Sequence, residues 1–316
     1  MDLDFDATLA FIEQGERFLL TTHINSDADG IGSIMALKRL LGQLGKEAHI
    51  GLPDPPSGQC EFLADWSDVR HIDELAGKNF THAIVTDSPG LDRIGTAQKH
   101  LTDLPILAID HHKSRAPFGQ VNLVTTEVSS TCEMVYHLAQ AGGWSIDPET
   151  AAALYTGIIF DTGSFRFSLT KPTTFEVAAA LTRLDIRLDR LADQLFGNKS
   201  YGSVKQLGTA IDSLALYHDE RVAIMHLNAE AMQAGDPDEV VNYGLLIKGV
   251  QVAVLLKEQE AGRYRISLRS QESVDVNAIA GTFDGGGHAR AAGCRLQGGR
   301  DEVTKKLLAE IGRNLS

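Results

Sequence analysis

Short apolar runs alternate with longer stretches of helical periodicity over the first two-thirds of the chain. Residues 17–22, 82–86 and 105–109 are largely apolar runs bounded by polar or turn residues and read as buried strands, and 46–52 resembles a further strand. Apolar positions at helical spacing fall around residues 3–14, with Leu9, Phe11 and Ile12 among them, and then at 30–44, 149–160, 173–184 and 188–196. Local punctuation supports these limits. Ser130 and Glu133 form a capping box that opens a helix running to Ala141, and Gly142 and Gly143 end it. Asp147, Pro148 and Glu149 open the next helix, with an N-cap, a proline at the first position and an acid in the first turn. From Leu214 the texture turns β-like, with runs at 222–227, 250–256 and 264–268.

This pattern predicts an α/β fold: a first domain over residues 1–196 with a mostly parallel sheet flanked by helices, a linker helix within 197–213, and a smaller α+β domain over 214–316. A chain of 316 residues is long enough for two cores. No internal repeat is visible.

What changes the picture is where the strands end. The apolar run 105–109 leads into Asp110, His111 and His112; run 17–22 leads into His23, Asp27 and Asp29; run 82–86 leads into Asp87. The apolar segment 154–160 leads into Asp161, at a helix C-terminus where the dipole disfavours a bare acid. Acids and imidazoles there are costly unless they bind something, and ligands collect at the carboxyl ends of parallel strands. A buried Asp–His pair satisfied by hydrogen bonds would explain one such triplet; convergence of four segments points to a metal centre. For Asp27 and Asp29 the plainer reading is an N-cap and a solvated acid, which leaves His23 without a role.

Composition narrows the function. The net charge of −13 argues against a protein that coats long nucleic acid or an anionic membrane. It does not exclude a small anionic substrate, because four Asp ligands roughly cancel two divalent cations. No apolar run reaches membrane-spanning length, and the acidic start reads as neither a signal nor a transit peptide. Cys60, Cys132 and Cys294 are far apart, without a C-x-x-C, and are expected as reduced thiols in a cytoplasmic protein.

In the second domain the informative stretch runs from Asp284 through Gly285, Gly286, Gly287 and His288 to Arg290 and Gly293. Consecutive glycines let backbone N–H groups approach an anion, and the following segment can begin a helix whose N-terminus favours phosphate. His288 and Arg290 follow the glycines, and Arg269 lies upstream. Arg166, after Asp161, reads equally as a phosphate clamp or a surface residue. His49, His71, His100, His137, His218 and His226 have no ligand-like company and read as structural or solvated.

Taken in order, His23, Asp27, Asp29, Gly32 and Ser33, then Asp87, then Asp110, His111 and His112, then Asp161, Thr162 and Gly163, and finally the glycines, His288, Ala291, Ala292 and Gly293 resemble the DHH-family phosphoesterases that carry a DHHA1 domain. The resemblance spans nearly the whole chain. Its compact length is similar to the oligoribonuclease and 3′-phosphoadenosine 5′-phosphate phosphatase branch, the nanoRNase A type. The resemblance implies an active site in the cleft between the two domains and a two-manganese centre. It implies one metal on His23, Asp27 and Asp87 and a second on Asp29, Asp87, His111 and Asp161, with Asp87 bridging. His112 would face the substrate phosphate and Asp110 would orient an imidazole. Three features depart from the family pattern: Ser26 in place of a common proline, Gly30 in place of a larger residue, and Lys113, Ser114 and Arg115 in place of a Pro/Asn continuation. None removes a proposed ligand; they bear on substrate preference.

The expected chemistry is metal-assisted phosphoester hydrolysis. The Asp/His set suits Mn²⁺, with Mg²⁺ or Co²⁺ as substitutes. Two ions about 3.5–4 Å apart lower the pKa of a shared water and clamp the phosphoryl oxygens. His112, Asp110 and His288 are the candidate catalytic groups; Arg269, Arg290, Arg166, His288 and the three glycines are the candidate substrate-binding groups. Expected substrates are short RNA or DNA oligonucleotides, pApA-type dinucleotides cut to 5′-mononucleotides, and pAp cut to AMP and phosphate. Aromatic residues make up only 6% of the chain, too few for the stacking platforms of a processive single-strand exonuclease. Cyclic dinucleotides are the nearest alternative, pyrophosphate a further one, and a non-catalytic nucleotide sensor an alternative of another class. A homodimer remains open.

Overall fold

The computed structural model describes residues 5–55, 58–112, 117–197, 199–235, 237–271 and 274–315; the side chains of Asp238, Glu239 and His288 lie outside that description. The readings of the chain start and of Lys113, Ser114 and Arg115 therefore fall on residues that are not described. The chain divides into two compact units, Met1–Asn198 and Lys199–Ser316. Among the described residues no helix is long and apolar enough to cross a membrane.

In the first unit, helix α1 (Phe5–Gln14) precedes strand β1 (Arg17–Thr21), helix α2 (Ala28–Gln43) and strands β2 (Glu47–Leu52), β3 (Val69–His71), β4 (His82–Thr86), β5 (Ile106–Asp110) and β6 (Val121–Val124). The six strands form one sheet in the order β3-β2-β1-β4-β5-β6, and each neighbouring pair is parallel. The sheet is thus wholly rather than mostly parallel. The edge strands β3 and β6 escaped the sequence reading, being only three and four residues long.

The central strands are apolar on both faces. Phe18, Leu20, Ile84, Leu107 and Ile109 point into the larger core, with helix α2 and the helices after the sheet. Leu19, Ala83 and Val85 point the other way, into a smaller core with Ile72, Leu75, Ile94 and Leu101. Both faces are covered, so the strands read as continuous apolar runs and not as alternation. The chain order reverses between β1 and β4, where an open parallel sheet forms its ligand crevice.

Helices α3 (Thr131–Ala141), α4 (Pro148–Asp161), α5 (Pro172–Thr182) and α6 (Leu188–Ala192) complete this unit. Segment 149–160 is helical as expected, and Asp161 is the last residue of α4. Ser130 caps α3 by accepting from the Glu133 N–H. The other half of the expected capping box is redirected: the Glu133 carboxylate accepts from the Ser129 N–H and hydroxyl and from Thr174 Oγ1 on α5. This carboxylate is 0% exposed; its three donors all reach Oε2, while Oε1 lies 3.8 Å from His137 Nε2.

The second unit opens with helix α7 (Tyr201–Asp212), expected as a linker; within this unit its Gln206 donates to the carbonyls of Ala231 and Gly235. Strands β7 (Ala215–Tyr217), β8 (Val222–Leu227), β9 (Val252–Glu260) and β10 (Arg263–Ser270), helix α8 (Val276–Gly281), strands β11 (Gly286–His288) and β12 (Ala291–Gln297) and helix α9 (Arg300–Asn314) follow. They form a six-stranded sheet, β11-β12-β10-β9-β8-β7, in which only β8 and β9 run parallel. α8 and α9 cover one face through Val276, Ile279, Val303, Leu307 and Ile311.

One expectation fails here. The glycine-rich stretch opens no helix: Gly286–His288 is strand β11, paired antiparallel with β12 across a tight hairpin. The glycines have a packing reason. A Cβ on Gly285 would lie 2.3 Å from the Gly293 carbonyl oxygen, and one on Gly287, at φ +151°, would lie 2.4 Å from that of Ala291.

Candidate metal centre

The centre gathers at the carboxyl ends of β1, β4 and β5 and at the starts and ends of the helices beside them. Asp27 is the N-cap of α2, and its Oδ1 accepts from the N–H groups of Asp29 at 3.0 Å and Gly30 at 3.2 Å. The capping reading is therefore correct for Asp27. The solvated reading is not correct for Asp29, which is 0% exposed. Asp29 stands at a second helix N-terminus as well: its Oδ2 accepts from the Thr131 N–H at 2.6 Å and its Oδ1 from the Cys132 N–H at 2.9 Å, both in the first turn of α3. Two aligned amides and a helix dipole make this a favourable place for an anion.

Asp87 follows β4 and adopts φ +55°, a left-handed backbone that Asp tolerates better than most residues. Its two carboxylate oxygens serve different neighbours. Oδ2 lies 3.4 Å from His23 Nε2, while Oδ1 lies 3.5 Å from His111 Nε2 and 3.4 Å from His112 Nδ1. On the first side, His23 Nε2 is also 3.8 Å from Asp27 Oδ1. On the second, His111 Nε2 is 3.0 Å from Asp161 Oδ2 and 3.9 Å from Asp29 Oδ2. Three overlapping groups of ligand-type atoms result: His23, Asp27 and Asp87; Asp29, His111 and Asp161; and Asp87, His111 and His112.

The donor set fits divalent cations. His111 is buried, and neither ring nitrogen makes a hydrogen bond, although Nε2 is ringed by three carboxylates. A buried orphan nitrogen facing acids at 3.0–3.9 Å is the arrangement expected around an ion, not that of a closed hydrogen-bond network. Without cations, protons take their place. Burial would lower His111, but the adjacent Asp161, Asp87 and Asp29 outweigh it and hold the imidazole well above its usual range. His23 is likewise raised against its burial by Asp27 and Asp87. Burial, with Asp87 and Asp161 alongside, pushes Asp29 up. Asp87 goes the other way, because His23, His112 and His111 overcome its burial and keep it ionised.

His112 is separate in kind. Its Nδ1 lies 2.8 Å from Asp110 Oδ1, and Asp110 is 1% exposed. Burial lowers this imidazole, and the Asp110 hydrogen bond and the Asp87 charge more than restore it. Arg166 stands apart from these groups: it is exposed, and its Nε donates to the Gly163 carbonyl at 2.8 Å. In the second unit, Arg269, Ala291 and His288 occupy one row across β10, β12 and β11. Arg269 Nη1 donates to the Leu268 carbonyl and Arg290 Nη1 to that of Val274.

Most of these residues fall within known family signatures, with Asp161 and Arg166 just beyond the end of the first. The DHH family N-terminal domain matches residues 17–158, and the DHHA1 domain matches residues 219–316. A Thermus thermophilus protein named bifunctional oligoribonuclease and PAP phosphatase NrnA is 30% identical over 299 residues, 94% of this chain and 90% of the relative.

The chain belongs to the DHH phosphoesterase family.

A Bacillus subtilis protein of the same name is 27% identical over 89% of this DHH chain and 90% of its own length. Among solved structures, an exopolyphosphatase-related protein from Bacteroides fragilis superposes with a TM-score of 0.93 at 24% identity, covering 99% of this chain and 97% of that one. RecJ from Thermus thermophilus in complex with Mn²⁺ gives a TM-score of 0.57 at 13% identity, covering 99% of this chain and 55% of that one. These last two likenesses are of fold. As a DHH-family member the chain is a metal-dependent phosphoesterase.

Sequence reasoning passed over Thr131 and Cys132, whose amides hold Asp29. The available signal was the cap at Ser130, which aims the first amides of α3 at whatever lies before them.

Proposed function

We propose that this DHH-family member hydrolyses short oligonucleotides to 5′-mononucleotides and removes the 3′-phosphate from nucleoside 3′,5′-bisphosphates, using two divalent cations. The observation that carries the two-cation reading is the split carboxylate of Asp87, one oxygen toward His23 and the other toward His111. His23, Asp27 and Asp87 would hold one cation; Asp29, Asp87, His111 and Asp161 the other. The oxygen-rich set suits Mn²⁺ first, with Mg²⁺ or Co²⁺ as substitutes. Bound there, the cations supply Lewis acidity, activating water and neutralising phosphoryl charge.

The chain's own residues supply the rest. Asp110 fixes the His112 ring through Nδ1, so the proton on Nε2 is the one available to a phosphoryl or leaving oxygen. Asp29 keeps its position through the α3 amides. From the second unit, Arg269, Arg290, His288 and the N–H groups of Gly285, Gly286 and Gly287 are the groups we assign to the nucleotide and its phosphates, and Arg166 is a further candidate from the first. Support for the substrate class comes from the names of the two relatives at 30% and 27% identity over most of both chains. The buried, unpaired thiols of Cys60, Cys132 and Cys294 suit a reducing compartment, and we place the activity in the cytoplasm.

The test is Mn²⁺-dependent turnover of a 5′-phosphorylated RNA dinucleotide beside pAp, a cyclic dinucleotide and pyrophosphate. Mononucleotides from the dinucleotide, and phosphate from pAp, are expected. Turnover of the cyclic dinucleotide or pyrophosphate alone would overturn the substrate assignment. Undiminished hydrolysis by Asp87→Asn would overturn the two-cation centre.

A further inference from the structure

Asp87 is the residue on which both halves of the centre depend, yet it sits alone beyond β4 on a left-handed backbone. Something must select the carboxylate rotamer that divides its oxygens between His23 and His111. His23 and His111 cannot do this if they are themselves ligands, since their facing nitrogens are then occupied, and His112 Nδ1, 3.4 Å from Asp87 Oδ1, is engaged by Asp110 at 2.8 Å. Thr131 offers a hydroxyl donor from a separate element. It is 0% exposed, and its Oγ1 donates to Asp87 Oδ1 at 3.2 Å. The same residue's N–H donates to Asp29 Oδ2 at 2.6 Å.

We propose that Thr131 is a positioning residue of the metal centre, its hydroxyl holding Asp87 while its backbone N–H holds Asp29. The inference rests on the two-cation reading of these carboxylates. Asp29 comes from α2 and Asp87 from the end of β4, so Thr131 ties together ligands that no shared element keeps in register. Its own place is secured from behind. Ser130 caps α3, and Glu133 draws Ser129 and Thr174 onto the same turn. The hydroxyl donates to one oxygen and leaves that oxygen's other lone pair available. Partners of this kind fix ligand orientation, and their removal typically lowers metal affinity or activity by about 10–100-fold. If Thr131 merely packs, its methyl group and not its hydroxyl would matter.

Valine has threonine's shape and keeps the N–H to Asp29, but cannot donate to Asp87. Calorimetric titration of metal-free protein with MnCl₂ should show Thr131→Val binding Mn²⁺ about tenfold more weakly. Its metal-free unfolding temperature should stay within about 2 °C of the parent, since the packing is unchanged. Thr131→Ser should restore affinity to within about threefold, because the donor returns. If valine fails to fold, Thr131→Ala against Thr131→Ser gives the same comparison. Parental Mn²⁺ affinity in folded Thr131→Val or Thr131→Ala would overturn the proposal. So would equal weakening by serine and valine, which would mean that the methyl group is what counts. Asp87→Asn is run alongside: if it titrates like the parent, the two-cation reading itself fails, and Thr131 with it.

Discussion

At the scale of single residues, the centre is built by dividing and pinning carboxylates. Asp87 spends its two oxygens on opposite sides, Asp29 is gripped by two amides, and Asp27 caps the helix that carries Asp29. Each of these three carboxylates has a hydrogen-bond partner besides the histidines, which holds its place in the site. His112 Nδ1 lies 2.8 Å from Asp110 Oδ1, and in the proposed mechanism its other nitrogen carries the proton offered to a phosphoryl or leaving oxygen. Replacing Asp110 by Asn keeps the size but removes the charge behind the ring. Asp110→Asn is expected to lower kcat by roughly 10–100-fold with Mn²⁺ affinity little altered. Steady-state kinetics beside a Mn²⁺ titration checks this; an unchanged kcat would remove His112 from the chemistry.

At the scale of elements, α2 and α4 pack closely enough to require glycine at their contact: a Cβ on Gly32 would lie 2.5 Å from the Ala153 carbonyl oxygen. A Cβ on Gly157 would lie 2.3 Å from Cys132 Sγ and 2.6 Å from Asp29 Oδ1. Gly157→Ala should therefore destabilise the fold by about 1–3 kcal/mol and weaken Mn²⁺ binding together, because the displaced group is a proposed ligand. Urea unfolding and metal titration on the same variant would separate the two effects. The turn before α3 makes a prediction about pH. Burial raises Glu133, but His137 and the hydrogen bonds from Ser129 and Thr174 outweigh it and lower the carboxyl from 4.5 to about 2. A lowered carboxyl contributes stability that is complete above its unfolded value and is lost as pH falls through the folded one. Glu133→Gln should thus cost on the order of 3 kcal/mol near neutral pH, and parent and variant should converge between about pH 4.5 and 2. Unfolding curves across that range test it; a constant difference would contradict the assignment.

At the scale of the molecule, the first unit carries four clustered acids, Asp27, Asp29, Asp87 and Asp161, in a chain of net charge −13. Cations that bind the folded centre and not the unfolded chain must stabilise that unit. At a free concentration one hundred times the dissociation constant, each should contribute about 2.7 kcal/mol. Hydrogen exchange with and without Mn²⁺ should show new protection in α2, α3 and the ends of β4 and β5, reversed by chelation. Protection confined to residues 199–316 would place the metal elsewhere.

Much of this was legible from the order of residues. Runs buried on both sheet faces announced the parallel strands, and acids and imidazoles at their ends announced the centre, because ionisable groups are rarely placed there without a partner. The caps at Ser130 and Asp147 were legible because their hydrogen bonds are local. What stayed hidden was non-local. Edge strands β3 and β6 are too short for periodicity and exist through pairing with β2 and β5. The glycines at 285–287 suggested a loop opening a helix, yet they lead into strand β11, and the need for glycine at 285 and 287 comes from the opposing backbone of β12. Thr131 read as one residue after a cap; only tertiary structure brought its hydroxyl to Asp87, 44 residues away, and its amide to Asp29, 102 residues away. The sequence by itself determined which residues would be costly to bury. The packing of α2, α3 and β4 decided which of them share one site, because that depends on contacts between segments that no local pattern encodes.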